Sequence, residues 1–208
     1  MAETFKKAAA AGFMIGIGAV VYISCGNKIA GALLFTVGLF TICAFGMNLF
    51  TGKIGYIVSN KNNPNCFVIW LGNLIGASVG MALVRIAKPS LHTAAKEMMD
   101  AKLAQSLLRI PILAFFCGVL MYVAVENYRA NPHGFGKTAG LFLCVSTFIL
   151  CGFEHSIADM CYAALAVESL SDLGQYMLFL IIVSVFNGLG ALTVRWFTSD
   201  KQSNNTKQ

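Results

Sequence analysis

Six mostly apolar stretches run through this chain, each close to the roughly 20 residues a helix needs to cross a bilayer. They fall at about residues 8–25, 29–58, 66–87, 107–125, 138–167 and 174–197. Only 12% of residues are charged against 57% apolar. A soluble domain carries about 25% charged residues, so the deficit indicates lipid as solvent. The formal net charge is +6. Its lysines and arginines sit at the ends of apolar runs, as interfacial anchors do. No basic stripe interleaved with aromatics is present, which argues against nucleic acid as a partner. The seven cysteines form no C-x-x-C pair and lie mostly inside apolar runs, so neither a disulfide framework nor a zinc site is expected. No cofactor is implied. The first run, preceded by Lys6 and Lys7 and lacking a convincing cleavage site, reads as a retained span.

The connections are short: Gly26-Asn27, Asn60 to Asn65, and Asn131 to Gly134. The stretch from Lys88 to Ser106 is longer and mixes Ala94, Ala95, Met98, Met99 and Leu103 with charges, the pattern of an amphipathic helix at the surface or in a vestibule. The ends, Met1 to Lys7 and Ser199 to Gln208, read as polar tails of a single transmembrane domain. Six spans put both termini on one side. Lys6, Lys7, Lys61, Arg129, Lys137, Arg195, Lys201 and Lys207 would share it, which suggests the cytoplasmic face of the inner (plasma) membrane.

The chain repeats its own grammar over about residues 8–87 and 107–197. Gly72-Asn73-Leu74-Ile75-Gly76-Ala77 and Phe186-Asn187-Gly188-Leu189-Gly190-Ala191 share N-x-x-G-A. Each half reads as plain helix, broken helix, small-residue helix. Three spans per half force the second half to be inverted, a design that puts a polar site between the halves near the midplane. The expected fold is therefore all-α and membrane-embedded, with helices 2 and 5 broken. Gly72, Gly76 and Gly80 make a flat helix face suited to close packing, within or between subunits.

Polar residues inside the two long runs are the candidate chemistry. Glu154, His155 and Asp159 lie within six positions of one another in the fifth run. A central ionisable group costs about 2.5–3.5 kcal/mol on translocon scales, so such residues face a cavity or each other. Glu154 is placed to accept bonds from backbone N–H groups freed at a break, and His155 alone titrates near neutrality when unperturbed. Span two is interrupted around Gly46 to Lys53, and the loop Leu49-Phe50-Thr51-Gly52 offers loose N–H groups and a hydroxyl to an anion.

The segment Gly-Phe-Glu-His-Ser-Ile-Ala-Asp-Met, Gly152 to Met160, together with Leu-Phe-Thr-Gly at Leu49 to Gly52, resembles the formate/nitrite transporter family, and the likeness extends over about Gly12 to Trp196. The resemblance implies a homopentamer of aquaporin-like protomers in membrane lipid, each conducting a small monovalent weak-acid anion such as formate, nitrite or hydrosulfide. It implies His155 as the central histidine, with Thr51 facing it from a mobile loop. Phe35, Leu39 and Phe148 would form one constriction, and Leu49 would contribute to the other. Lys102 would be a vestibule lysine attracting anions, with Glu154 beside the pathway. Two departures stand out: Gly118 where a pore asparagine is common, in Cys117-Gly118-Val119-Leu120, and Asp159 where asparagine is commonest. A proton from His155 would turn the anion into a neutral acid and remove most of its desolvation cost; alternatively His155 only donates a hydrogen bond. The nearest rival is a neutral-solute channel of the aquaporin type, but Asn63-Pro64 and Asn131-Pro132 are not N-P-A and lie in connections. An intramembrane enzyme using Glu154, His155 and Ser156 is the rival of another class, and it lacks a second histidine in a span.

Overall fold

The structure is a computed structural model and describes residues 1–58 and 64–198. Lys61, Asn63, Lys201, Lys207 and the rest of the C-terminal tail lie outside the described residues. The chain is helical: α1 Ala2–Ser24, α2 Lys28–Ala44, α3 Phe50–Lys53 continued by a 3-10 turn Ile54–Tyr56, α4 Cys66–Ala87, α5 Leu91–Leu103, α6 Arg109–Ala130, α7 Gly134–Leu150, α8 Ser156–Ala166 and α9 Leu170–Thr198.

Four of these helices, α1, α4, α6 and α9, are long and apolar enough to cross a membrane, at 22 to 29 residues each. At 1.5 Å per residue, 22 residues reach about 33 Å, against about 30 Å of hydrocarbon. The second and fifth runs are divided instead. α2 stops at Ala44 and α3 starts at Phe50; α7 stops at Leu150 and α8 starts at Ser156. Both breaks turn on a glycine in the left-handed region, Gly46 (φ 61°) and Gly152 (φ 68°), where a side chain would be strained.

Helix ends differ from the sequence reading. α1 begins at Ala2 rather than near Ala8, because Glu3 and Lys7 form a 3.0 Å ion pair one turn apart that lets the polar end stay helical. α6 runs on past Val125 to Ala130, where Arg129 pairs with Glu126. The apolar run marks the hydrocarbon crossing, and the helix outlasts it.

α1 packs on α4 and α2, and α6 packs on α9 and α7. The two groups meet through α2 against α7, while α8 fits among α4, α5, α1 and α9. The glycine stripe of α4 explains the first contact. A Cβ on Gly72 would press on Ala8, one on Gly76 would overlap the Ala9 backbone, and one on Gly80 would touch Phe13. The stripe therefore packs within the chain. α5 is the amphipathic helix expected after Lys88. It buries Leu91, Ala95 and Met99 against α8 and is tied there by His92, which bonds Leu165 O (2.7 Å) and Glu168 (2.6 Å).

Candidate functional site

The two breaks leave helix-end backbone groups in the interior, where an unpaired N–H or C=O costs about 1–3 kcal/mol. One buried asparagine serves each break. Asn187 Oδ1 accepts from Ser156 N at 2.9 Å, and its Nδ2 donates to Glu154 O (2.9 Å) and Ala114 O (2.7 Å). Asn73 Oδ1 accepts from Phe50 N at 2.8 Å, and its Nδ2 donates to Asn48 O (2.9 Å) and Ala8 O (2.8 Å). These are the asparagines of the two N-x-x-G-A motifs. Their glycines sit at equivalent close approaches in each half: a Cβ on Gly76 would overlap the Ala9 backbone, and one on Gly190 the Phe115 carbonyl. The motif therefore carries a bond pattern and a close approach, neither of which is visible in the letters alone.

These brackets bring Leu49 and His155 to matching places at the two breaks. Each is an extended residue opening a short helix, with φ, ψ of −95°, 128° and −108°, 108°. Thr51 Oγ1 and His155 Nε2 are 2.9 Å apart, and both side chains are buried. His155 Nδ1 accepts the Ala158 N–H at 3.1 Å and so caps α8. An Nδ1 that accepts carries no hydrogen, so the ring proton sits on Nε2 and is donated to Thr51. The Thr51 hydroxyl hydrogen is then free to turn toward a ligand.

Phe148 lies tilted beside His155 with ring centroids 5.4 Å apart and meets Phe35 edge-on at 5.8 Å. Leu39 and Leu49 are buried at 1% and 2% exposure, so no side chain offers a charge at either position. Beyond Leu49 a cavity of about 340 Å³ is lined by Leu49, Gly52, Tyr128 and three cations, Lys53, Arg129 and Lys137. Sequence reading had put Arg129 and Lys137 on one side of the membrane but had not joined Lys53 to them.

Four expectations change. Phe50, Thr51 and Gly52 belong to a short helical turn, and only Leu49 of that segment is extended. Glu154 serves no freed backbone N–H, because Asn187 and His155 do that work; its oxygens face Lys102 and Gln105 Nε2, the latter at 2.7 Å. Lys102 is not a lone attracting charge. It pairs with Glu154 and lies 3.0 Å from Asp159, so its charge is met twice. Gly118 is no lost pore side chain: a Cβ there would overlap the Asn187 backbone, where α6 and α9 touch.

Comparison with known proteins identifies the family and the fold. Residues 1–199 match the family model "Formate/nitrite transporter". The chain is 23% identical to the formate channel FocA of Escherichia coli K12, over 95% of this chain and 78% of FocA. It is 24% identical to the nitrite transporter NirC of the same strain, over 94% and 83%. Among solved structures it resembles a pentameric formate channel with formate bound (TM-score 0.77, 24% identity, 94% of this chain and 95% of that one). It also resembles an FNT family ion channel (TM-score 0.81, 22% identity, 93% and 87%). These relatives are channels and transporters, not enzymes.

Proposed function

Because the chain belongs to the formate/nitrite transporter family, we propose that it passes a small monovalent weak-acid anion, of the formate, nitrite or hydrosulfide class, between Thr51 and His155. The observation that carries this reading is the 2.9 Å hydrogen bond joining the two breaks, flanked by apolar rings on one side and a basic cavity on the other. In this reading α1, α2 with α3, α4, α6, α7 with α8, and α9 make six crossings of one transmembrane unit, related as inverted three-helix repeats. The matched bonds of Asn73 and Asn187 support that relation. Both termini lie in the cytoplasm of a cell whose inner membrane holds the protein. Five copies assemble, as in the solved formate channel that the chain resembles. The exposed apolar faces of α2 (Leu33, Leu34, Val37) and α9 (Leu178, Ile181, Val185) would meet lipid and neighbouring copies.

Lys53 and Lys137 raise the anion concentration beside Leu49, while Arg129 is met by Glu126. Leu49 forms one constriction, and Phe35, Leu39 and Phe148 form the other. A bare anion pays a large desolvation cost in such rings. Between them the Thr51 hydroxyl, whose oxygen accepts the His155 Nε2–H, turns its own hydrogen to the anion in place of water. His155 acts here as a neutral donor, because a second proton on Nδ1 would oppose the Ala158 N–H and uncap α8. The test is nitrite and formate flux in proteoliposomes for wild type and Thr51→Val. A hydrogen bond to a charged group is worth about 1.5–3 kcal/mol, so the variant should conduct roughly ten- to a hundredfold more slowly. Equal flux would remove Thr51 from the pathway.

A further inference from the structure

The cluster of Lys102, Glu154 and Asp159 is not used by the Thr51–His155 pair. It places two carboxylates, each 1% exposed, around one ammonium. The carboxylates are not equivalent. Both oxygens of Glu154 face donors, Oε2 toward Lys102 and Oε1 toward Gln105. Asp159 has only Oδ1 engaged, 3.0 Å from Lys102 Nζ. Its Oδ2 is buried and has no hydrogen-bond partner among the described residues.

Fully ionised, the cluster carries one surplus negative charge, and an oxygen without a donor bears part of it. A buried uncompensated charge is among the most expensive arrangements in a protein. The other titratable groups around Asp159 among the described residues offer no second counter-charge. They are Cys117 from α6 and Cys161 and Tyr162 on α8, with Tyr22 from α1 beyond Tyr162 and His155 one turn before Asp159, whose Nδ1 accepts the Ala158 N–H and so leaves the ring neutral. Arg85 and His92 are held at the far end of α8, by Val167 O, Leu165 O and Glu168. One proton on Asp159 Oδ2 makes the cluster neutral while leaving the Lys102–Glu154 pair intact. Asparagine at this position is a permanently neutral copy of the protonated acid, and the same cluster with asparagine would be neutral without any proton.

We propose that Asp159 is a proton-binding site, and that its proton sets the charge an anion meets on approaching His155 from the α5 side. Protonated, the cluster is neutral and the approach is open. When the Oδ2–H bond breaks and the proton passes to water, the cluster becomes singly negative and repels the anion. This rests on the transport reading above.

Two measurements on the full-length chain test it. The first is nitrite uptake into proteoliposomes from about pH 6 to about pH 8.5, a range in which an unperturbed carboxyl is already ionised. Asp159→Asn is compared with wild type at each pH. One unit charge about 10 Å away at an effective dielectric of about 20 changes occupancy roughly tenfold. Wild-type uptake should match the variant at the acid end and fall about tenfold below it at the alkaline end. Superimposed profiles would overturn the proposal. The second is infrared difference spectroscopy without any anion. Wild type should show the C=O stretch of a buried protonated carboxyl that shifts in D2O, vanishes at the alkaline end, and is missing in Asp159→Asn. Absence of that band in wild type, or its survival in the variant, would overturn the proposal. Should the variant fail to assemble, the wild-type band followed with pH decides alone. Wild-type liposomes that take up no nitrite would contradict the transport reading instead, and the band would still decide the proton site.

Discussion

Replacing Asn187 with alanine removes three hydrogen bonds at once, and the structure says what each loss costs. Ala114 O lies inside α6 and keeps its helical partner. Ser156 N and Glu154 O lie at the break and have Asn187 as their partner in the buried interior. Two buried backbone groups left unpaired cost about 1–3 kcal/mol each, so the total is about 2–6 kcal/mol. Asn73→Ala makes the same calculation in the other half: Ala8 O stays in α1, while Phe50 N and Asn48 O are stranded. The two variants should therefore lose similar stability, within about 1 kcal/mol, an agreement that independent sites have no reason to show. Thermal unfolding in detergent, followed by fluorescence size exclusion, measures both. Flux at a temperature where each remains assembled should also fall, because each break carries one side of the Thr51–His155 bond. Wild-type stability in either variant, or a large effect in one and none in the other, would refute the reasoning that these asparagines are paired brackets.

Gly118→Asn, which introduces the asparagine that the resemblance implies there, should destabilise the protein by about 2 kcal/mol or more, because its Cβ overlaps the Asn187 backbone; unfolding measurements check it, and an unchanged midpoint would return Gly118 to the pore. Lys53→Gln with Lys137→Gln should lower uptake at low ionic strength several-fold and much less at high salt, where the field is screened. His155→Asn keeps a side-chain acceptor for the Ala158 N–H and a donor toward Thr51, so conduction should persist with its pH profile unaltered; a profile that flattens would show that His155 moves the proton itself.

The apolar runs disclosed the helices because a crossing has a minimum length, and the polar letters inside runs two and five disclosed the breaks because lipid penalises them. The helix ends were misread for a related reason: Glu3–Lys7 and Glu126–Arg129 extend helices beyond the hydrocarbon, where hydropathy carries no signal. The facing of Thr51 and His155 followed from the resemblance, not from the letters. The N-x-x-G-A motif was visible as a repeat, but the bonds of Asn73 and Asn187 run to backbone groups of distant elements, which no local pattern encodes. The resemblance implies Lys102 as a vestibule lysine, but its pairing with Glu154 and Asp159 is not legible in the letters, because both lie far along the chain and reach it only through packing. Gly118 was read from its place in a family pattern, and the close approach of α6 to α9 was the missing fact.

The central claim is that an anion, and not a neutral solute, passes between Thr51 and His155. Proteoliposomes holding the purified protein, assayed in parallel for nitrite uptake and for osmotic swelling in glycerol, test it most directly. The account predicts nitrite uptake well above empty liposomes with swelling no faster than theirs. Rapid glycerol swelling without nitrite uptake would contradict it.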